Sequence, residues 1–141
     1  MKITDHFSQQ EFTCKCGCGE VLIDMQLVYG LEVLRRLLRK PIIINSAYRC
    51  EAHNKAVGGV DNSQHRLGTA ADIRVSGMTP SEIHKLACNI FDGVGLYDNF
   101  VHVDVRGVKA RWGKLPDITD KDVLPEGPTE QEILDKLGEV E

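Results

Sequence analysis

Two segments, Ala70-Ala71-Asp72-Ile73-Arg74-Val75 and Phe100-Val101-His102-Val103-Asp104-Val105, alternate apolar and polar side chains with a period of two. That alternation specifies a β-strand with one buried face, because successive side chains leave a strand on opposite sides. In the first segment Ala71, Ile73 and Val75 turn toward a core, while Asp72 shares the other face with Ala70 and Arg74. In the second, Val101, Val103 and Val105 form the apolar back, and His102 and Asp104 project the other way. A chain with two such strands must cover their backs with other elements, and it gathers carboxylates and imidazole on the opposite face.

Helical periodicity supplies the cover. Leu27, Val28, Leu31, Leu34, Leu37 and Leu38 recur at spacings of three and four, with Glu32, Arg35, Arg36 and Arg39 on the other side. The spacing predicts an amphipathic helix capped by Asp24 and ending before Pro41. Thr79-Pro80-Ser81-Glu82 predicts a second helix start, with threonine as cap, proline in the first position and glutamate closing a capping box. This helix is expected to run to about Phe91. Ile42-Ile43-Ile44 reads as a buried strand, residues 50–56 as a short helix and 60–68 as a loop. A further strand over 93–96 joins 100–105 in a hairpin through Tyr97-Asp98-Asn99.

The ends of the chain read differently. Residues 4–20 form an expected irregular lobe, anchored by Phe7 and Phe12 and carrying Cys14, Cys16 and Cys18. Residues 114–129 hold three of the five prolines and many charges, which reads as a linker, and 130–137 offer one or two helical turns. The expected division is a single folded domain over 1–113 and a tail over 114–141. A length of 141 residues with 42% hydrophobic composition suits one such domain.

A net charge of -4 gives no general attraction to nucleic acid or anionic lipid. No run approaches the roughly 20 apolar residues that span a bilayer, and the first residues lack the apolar core of a signal peptide. The expectation is a monomer made in the cytoplasm, without nucleic-acid or membrane-inserting partners. Five cysteines cannot all pair within one chain, so at least one thiol stays reduced. The crowding of Cys14, Cys16 and Cys18 leaves a structural metal or a disulfide with Cys50 open, although one-residue spacing is tighter than the usual two to four of zinc sites. His6, His53 and His84 read as surface or packing residues.

The chemistry lies in Ser63-Gln64-His65-Arg66-Leu67-Gly68-Thr69-Ala70-Ala71-Asp72 together with His102. With the two alternating strands as neighbours, Asp72 and His102 converge, and His65 reaches them from the loop that enters the first strand. Two imidazoles and one carboxylate suit zinc, and a site with three protein ligands keeps a position open for water, the arrangement of a catalytic metal.

The pattern Ser63-x-His65-x-x-Gly68-x-Ala70-x-Asp72, with His102 on a later strand, resembles the zinc D-alanyl-D-alanine carboxypeptidase family. Its relatives include phage L-alanyl-D-glutamate endolysins, lysostaphin-type enzymes and the hedgehog signalling domain. The resemblance covers about residues 7 to 112, including Ser46-Ala47-Tyr48-Arg49 and Arg111-Trp112, and is nearest to the small phage and bacterial branch. It implies an α+β fold, a small antiparallel sheet with helices on one side, and zinc-dependent hydrolysis of an amide bond in a bacterial cell-wall peptide. The product would act at the wall after release from the cytoplasm.

The resemblance further implies His65, Asp72 and His102 as zinc ligands, Arg49 as the group that positions or polarises the substrate, and Ser63 as an orienting residue. Several family members place a carboxylate three residues before the last zinc histidine, where this chain has Asn99. An amide does not take a proton from water at neutral pH, so Asp104 is the expected base, with Asp98 second. Two other readings stand beside the peptidase: a module that retains zinc without turnover, and a structural part of a phage particle.

Overall fold

Helix α2 (Met25–Leu38) forms where the leucine periodicity predicts it. The Asp24 carboxylate accepts the Gln26 N–H at 2.8 Å, and Arg39 closes the helix in the left-handed region at φ 58°. The computed structural model describes residues 1–60 and 63–113. The expected linker and tail over 114–141 lie outside the described residues.

The N-terminal lobe holds more regular structure than its sequence predicts. Strands β1 (Lys2–Thr4) and β2 (Phe7–Ser8) pair antiparallel and lead into one helical turn, α1 (Gln9–Phe12), fixed by a Ser8–Glu11 capping box. Phe7 and Phe12 are buried with ring centroids 6.2 Å apart, edge to face, and anchor the lobe in the main core.

The main sheet has five strands: β3 (Ile43–Ser46), β4 (Ala70–Arg74), β5 (Gly93–Leu96), β6 (Val101–Asp104) and β7 (Ala110–Gly113). Their spatial order is β3-β4-β6-β5-β7. The first three pairings are antiparallel, whereas β7 runs parallel to β5, so the sheet is mixed rather than wholly antiparallel. The reason is local. β6 is flanked by β4 and β5 and ends with Asp104 opposite Gly93, the start of β5. A short return brings Ala110 to the same end, where its N–H donates to the Asp92 carbonyl at 2.9 Å, and from there the chain runs alongside β5 in the same direction.

Leu27, Val28, Leu31 and Leu34 of α2, Ile83 and Ala87 of α4 (Pro80–Ala87), and the strand residues Ala71, Ile73, Val94, Leu96, Val101 and Val103 form one core. Each buried aliphatic side chain contributes about 1.5–3 kcal/mol. That burial fixes which sheet face looks inward and hence which residues look out.

Helix α4 starts at the predicted capping box but stops at Ala87, short of Phe91. Past its end the Arg111 guanidinium donates to the carbonyls of Cys88 at 2.7 Å and Asp92 at 2.5 Å. These bonds let the chain leave the helix early and turn into β5. Helix α3 (Glu51–Ala56) follows Cys50, as its sequence predicts. Within the expected 60–68 loop the structure adds a 3-10 turn, Gln64–Leu67, capped by Ser63.

Candidate metal centre

The strand register assembles the site. On the outward face Ser46 lies opposite Asp72, Asp72 opposite His102, His102 opposite Gly95, and Gly95 opposite Trp112, one row across all five strands. His65 comes from the 3-10 turn that precedes β4. The Ser63 hydroxyl accepts the His65 N–H at 3.1 Å, and Gly68 ends the turn at φ 76°, packed so closely on the Leu22 backbone that a Cβ would stand 2.6 Å from the Leu22 carbonyl oxygen. Only glycine meets both conditions.

His65, Asp72 and His102 are buried, and one ligand atom from each lies within 4.8 Å of the others. Their hydrogen bonds decide what the cluster can hold. His65 Nδ1 is 2.6 Å from the Ala47 carbonyl oxygen, which can only accept, so Nδ1 carries the proton. His102 Nε2 is 2.7 Å from Asp104 Oδ2 and donates in the same way. With those nitrogens protonated, the neutral rings direct the lone pairs of His65 Nε2 and His102 Nδ1 at one oxygen, Asp72 Oδ1, from 3.2 and 3.1 Å. Three acceptors facing one point repel unless a cation or extra protons sit between them. Two imidazoles and a carboxylate with their outer nitrogens already oriented are a donor set that fits a divalent transition metal.

The electrostatics show how strongly this cluster attracts positive charge, whether a proton or a cation. Burial works against the Asp72 charge, but the adjoining His102 and His65 rings, which can take up a second proton toward it, outweigh that cost and bring the carboxyl down to about 2. For His102, burial opposes protonation while Asp104 and Asp72 favour it more strongly, so its pKa rises. Asp104 is wholly buried; despite the cost of burial, His102 and Arg106 hold its carboxyl far below the usual carboxylate range.

Arg49 stands beside the cluster. Its Nη2 donates to Asp72 Oδ2 at 3.2 Å, Nε to Ser46 Oγ at 3.2 Å and Nη1 to Asn54 Oδ1 at 3.4 Å. A cavity of about 340 Å³ lined by Glu51, Asn54, Lys55 and Arg66 adjoins the Asn54 end of this network. Asp98 is exposed in the β5–β6 turn, and Asn99 follows it.

Two further side chains support the site. Arg106 grips Asp104 with two bonds, Nε to Oδ1 at 2.9 Å and Nη2 to Oδ2 at 2.7 Å. Trp112 lies over Gly95, 5.0 Å from the His102 ring centroid, with the Arg106 guanidinium 4.9 Å from its own ring centroid and Nε1–H donating to the Tyr97 hydroxyl at 2.7 Å. A Cβ at Gly95 would stand 2.5 Å from Trp112 Nε1, and one at Gly93 would overlap the Asp104 carboxylate. Two glycines at alternate strand positions were the available signal, since they mark a face approached closely by other groups.

With this geometry in view, a profile of the Peptidase M15 family matches residues 5–104, which include all three clustered residues. The chain belongs to the Peptidase M15 family. Among curated proteins it is 36% identical over 100 residues to the peptidoglycan L,D-endopeptidase MepK of Escherichia coli strain K12, an alignment covering 64% of this chain and 54% of that protein. The MepK proteins of Escherichia coli O157:H7 and Shigella flexneri match with the same identity and coverage. The chain thus spans about half the length of the curated relatives it matches. Among the described residues no helix is long and apolar enough to cross a membrane.

Proposed function

We propose that this chain is a zinc peptidase that hydrolyses an L,D amide bond in bacterial cell-wall peptides, with His65, Asp72 and His102 as the metal ligands. The observation that carries the reading is the convergence of two imidazole lone pairs on one carboxylate oxygen. Membership of the peptidase family supports it, and so does the name of the MepK relatives, which specifies the bond type. The reading places the whole peptidase in 1–113 and treats 114–141 as a tail. Action at the cell wall follows from the substrate.

When bound, zinc supplies Lewis acidity, polarising the scissile carbonyl and making hydroxide available near neutral pH. The remaining work falls to the chain. Ala47 and Asp104 hold the two imidazoles in the tautomers that present lone pairs inward. Arg49 offers a planar cationic fork at the edge of the cluster, able to hold a substrate carboxylate or stabilise charge developing on its carbonyl oxygen. Asp104 is committed to His102 and Arg106, which suits orienting the ligand better than taking up a proton. Asp98, exposed in the turn 97–99, is the other carboxylate named by the sequence for that proton.

The experiment is release of new amino groups from purified peptidoglycan, with the products identified by mass. Arg49→Lys keeps the charge but loses the fork, so a loss of about 10²-fold in kcat/KM is expected, of the size seen when one stabilising donor is removed. Zinc content should not change. Full activity of His65→Ala protein would end the proposal. A second reading, a module that holds zinc without turnover, is favoured by Asn99 at the position where several family members carry a carboxylate. Stoichiometric zinc without any amine release would establish it.

A further inference from the structure

The N-terminal lobe carries a second cluster of metal-ligating side chains that the peptidase reading does not use. We propose that Cys14, Cys16, Cys18 and Cys50 bind a structural zinc ion as a closed four-thiolate site. The four sulfurs lie within 4.8 Å of one another. The separations are 3.4 Å for Cys14–Cys16 and 3.7 Å for both Cys14–Cys50 and Cys16–Cys50. A tetrahedron with Zn–S bonds of about 2.3 Å has edges of about 3.8 Å, so the sulfurs of Cys14, Cys16 and Cys50 already stand near three of the corners a zinc ion requires, with the Cys18 sulfur within 4.8 Å of each. A disulfide would use two of them and leave the convergence of the others without a purpose.

The backbone is built for this. One-residue spacing between ligands is tighter than that of ordinary zinc loops, and the chain achieves it with Gly17 at φ 91° and Gly19 at φ 78°, which curl 14–20 back on itself. The Cys14 N–H donates to the Glu20 carbonyl at 2.9 Å and closes the loop. Three backbone N–H groups point at sulfur: Glu20 to Cys18 at 3.4 Å, Cys50 to Cys14 at 3.5 Å, and His53 to Cys50 at 3.4 Å. Donors aimed at sulfur favour the thiolate over the thiol, which is the form a metal binds.

The site also has a structural task. It joins the end of α1 to the cap of α3 across 36 positions of sequence. Tyr48 N–H donates to the Phe12 carbonyl and Arg49 N–H to the His65 carbonyl, each at 3.1 Å, so the segment clamped at Cys50 is the one that carries Arg49. A small lobe with a two-strand hairpin and one helical turn gains rigidity from a closed metal site that its own core cannot supply.

The test uses the full chain, purified under reducing conditions and loaded with zinc or cobalt. Elemental analysis should find two zinc ions per chain in the parent protein and one in Cys16→Ser/Cys18→Ser, whose changed residues are both exposed and leave the core untouched. The cobalt form should show a thiolate-to-metal charge-transfer band that His102→Ala keeps and the cysteine variant loses. Chelation of the second ion should lower the melting temperature of the parent but not of the cysteine variant. Absence of the thiolate band from cobalt-loaded parent protein would overturn the proposal, as would a thiol count two short in denatured protein. Failure of the peptidase reading shows separately, as a zinc content that His102→Ala leaves unchanged.

Discussion

Asp104→Asn separates two roles for one buried carboxylate. Asp104 Oδ2 takes the His102 Nε2–H at 2.7 Å and the Arg106 Nη2–H at 2.7 Å, while Oδ1 takes Arg106 Nε–H at 2.9 Å. Asparagine has the same shape, so the fold should persist. Its amide nitrogen, however, must face either the imidazole N–H or the guanidinium, setting donor against donor. Losing one charge-assisted hydrogen bond costs about 1.5–3 kcal/mol. Because His102 depends on that bond for its tautomer, zinc affinity should fall about 10- to 100-fold, the usual effect of removing a partner that orients a metal ligand. The assay is zinc titration against a competing chromophoric chelator, with kcat measured at saturating zinc. Unchanged zinc affinity with abolished turnover would refute this reasoning and restore Asp104 as the base.

Two further outcomes follow from the geometry. Gly95→Ala places a methyl group against the Trp112 indole and should destabilise the protein by about 1–3 kcal/mol, as overpacking does; since Trp112 is the chain's single tryptophan, its fluorescence should shift, and an unchanged spectrum with an unchanged melting temperature would show that the indole does not lie over Gly95. Burial raises the Glu32 pKa, but hydrogen bonds from His6, including Nδ1 at 2.7 Å, outweigh it and lower it overall, so its stabilisation is full above the ordinary carboxylate range and is lost as pH falls through the folded-state value. Glu32→Gln should therefore be less stable than the parent at neutral pH, with the two melting curves converging on acidification; parallel curves would count against the pairing.

Much of the architecture was legible because its causes are local. The α2 leucines, the Thr79–Glu82 capping box and the hairpin around residues 97–99 each announce themselves within a few positions, and each forms. The parallel strand β7 was not legible, since its partner is selected by which sheet edge remains open after β6 is flanked. Nor was the β1–β2 hairpin, whose strands of three and two residues carry too few positions to show a period.

The same division runs through the site. Period-two alternation by itself assigned Asp72 and His102 to outward faces, because side-chain direction along a strand is a property of the backbone alone. Which outward residues meet is a property of register. Asp72 faces His102 through pairing across 30 positions, and Cys50 meets Cys14 across 36. A carboxylate two residues from a histidine on one strand can be a base or a brace, and the partners that bear on that choice, the Arg106 guanidinium and the space left by Gly93, are brought to Asp104 by packing. Chain chemistry thus nominated the groups, and packing of distant segments decided how they act, since hydrogen-bond partners and burial set a side chain's protonation and neither is written in its neighbours.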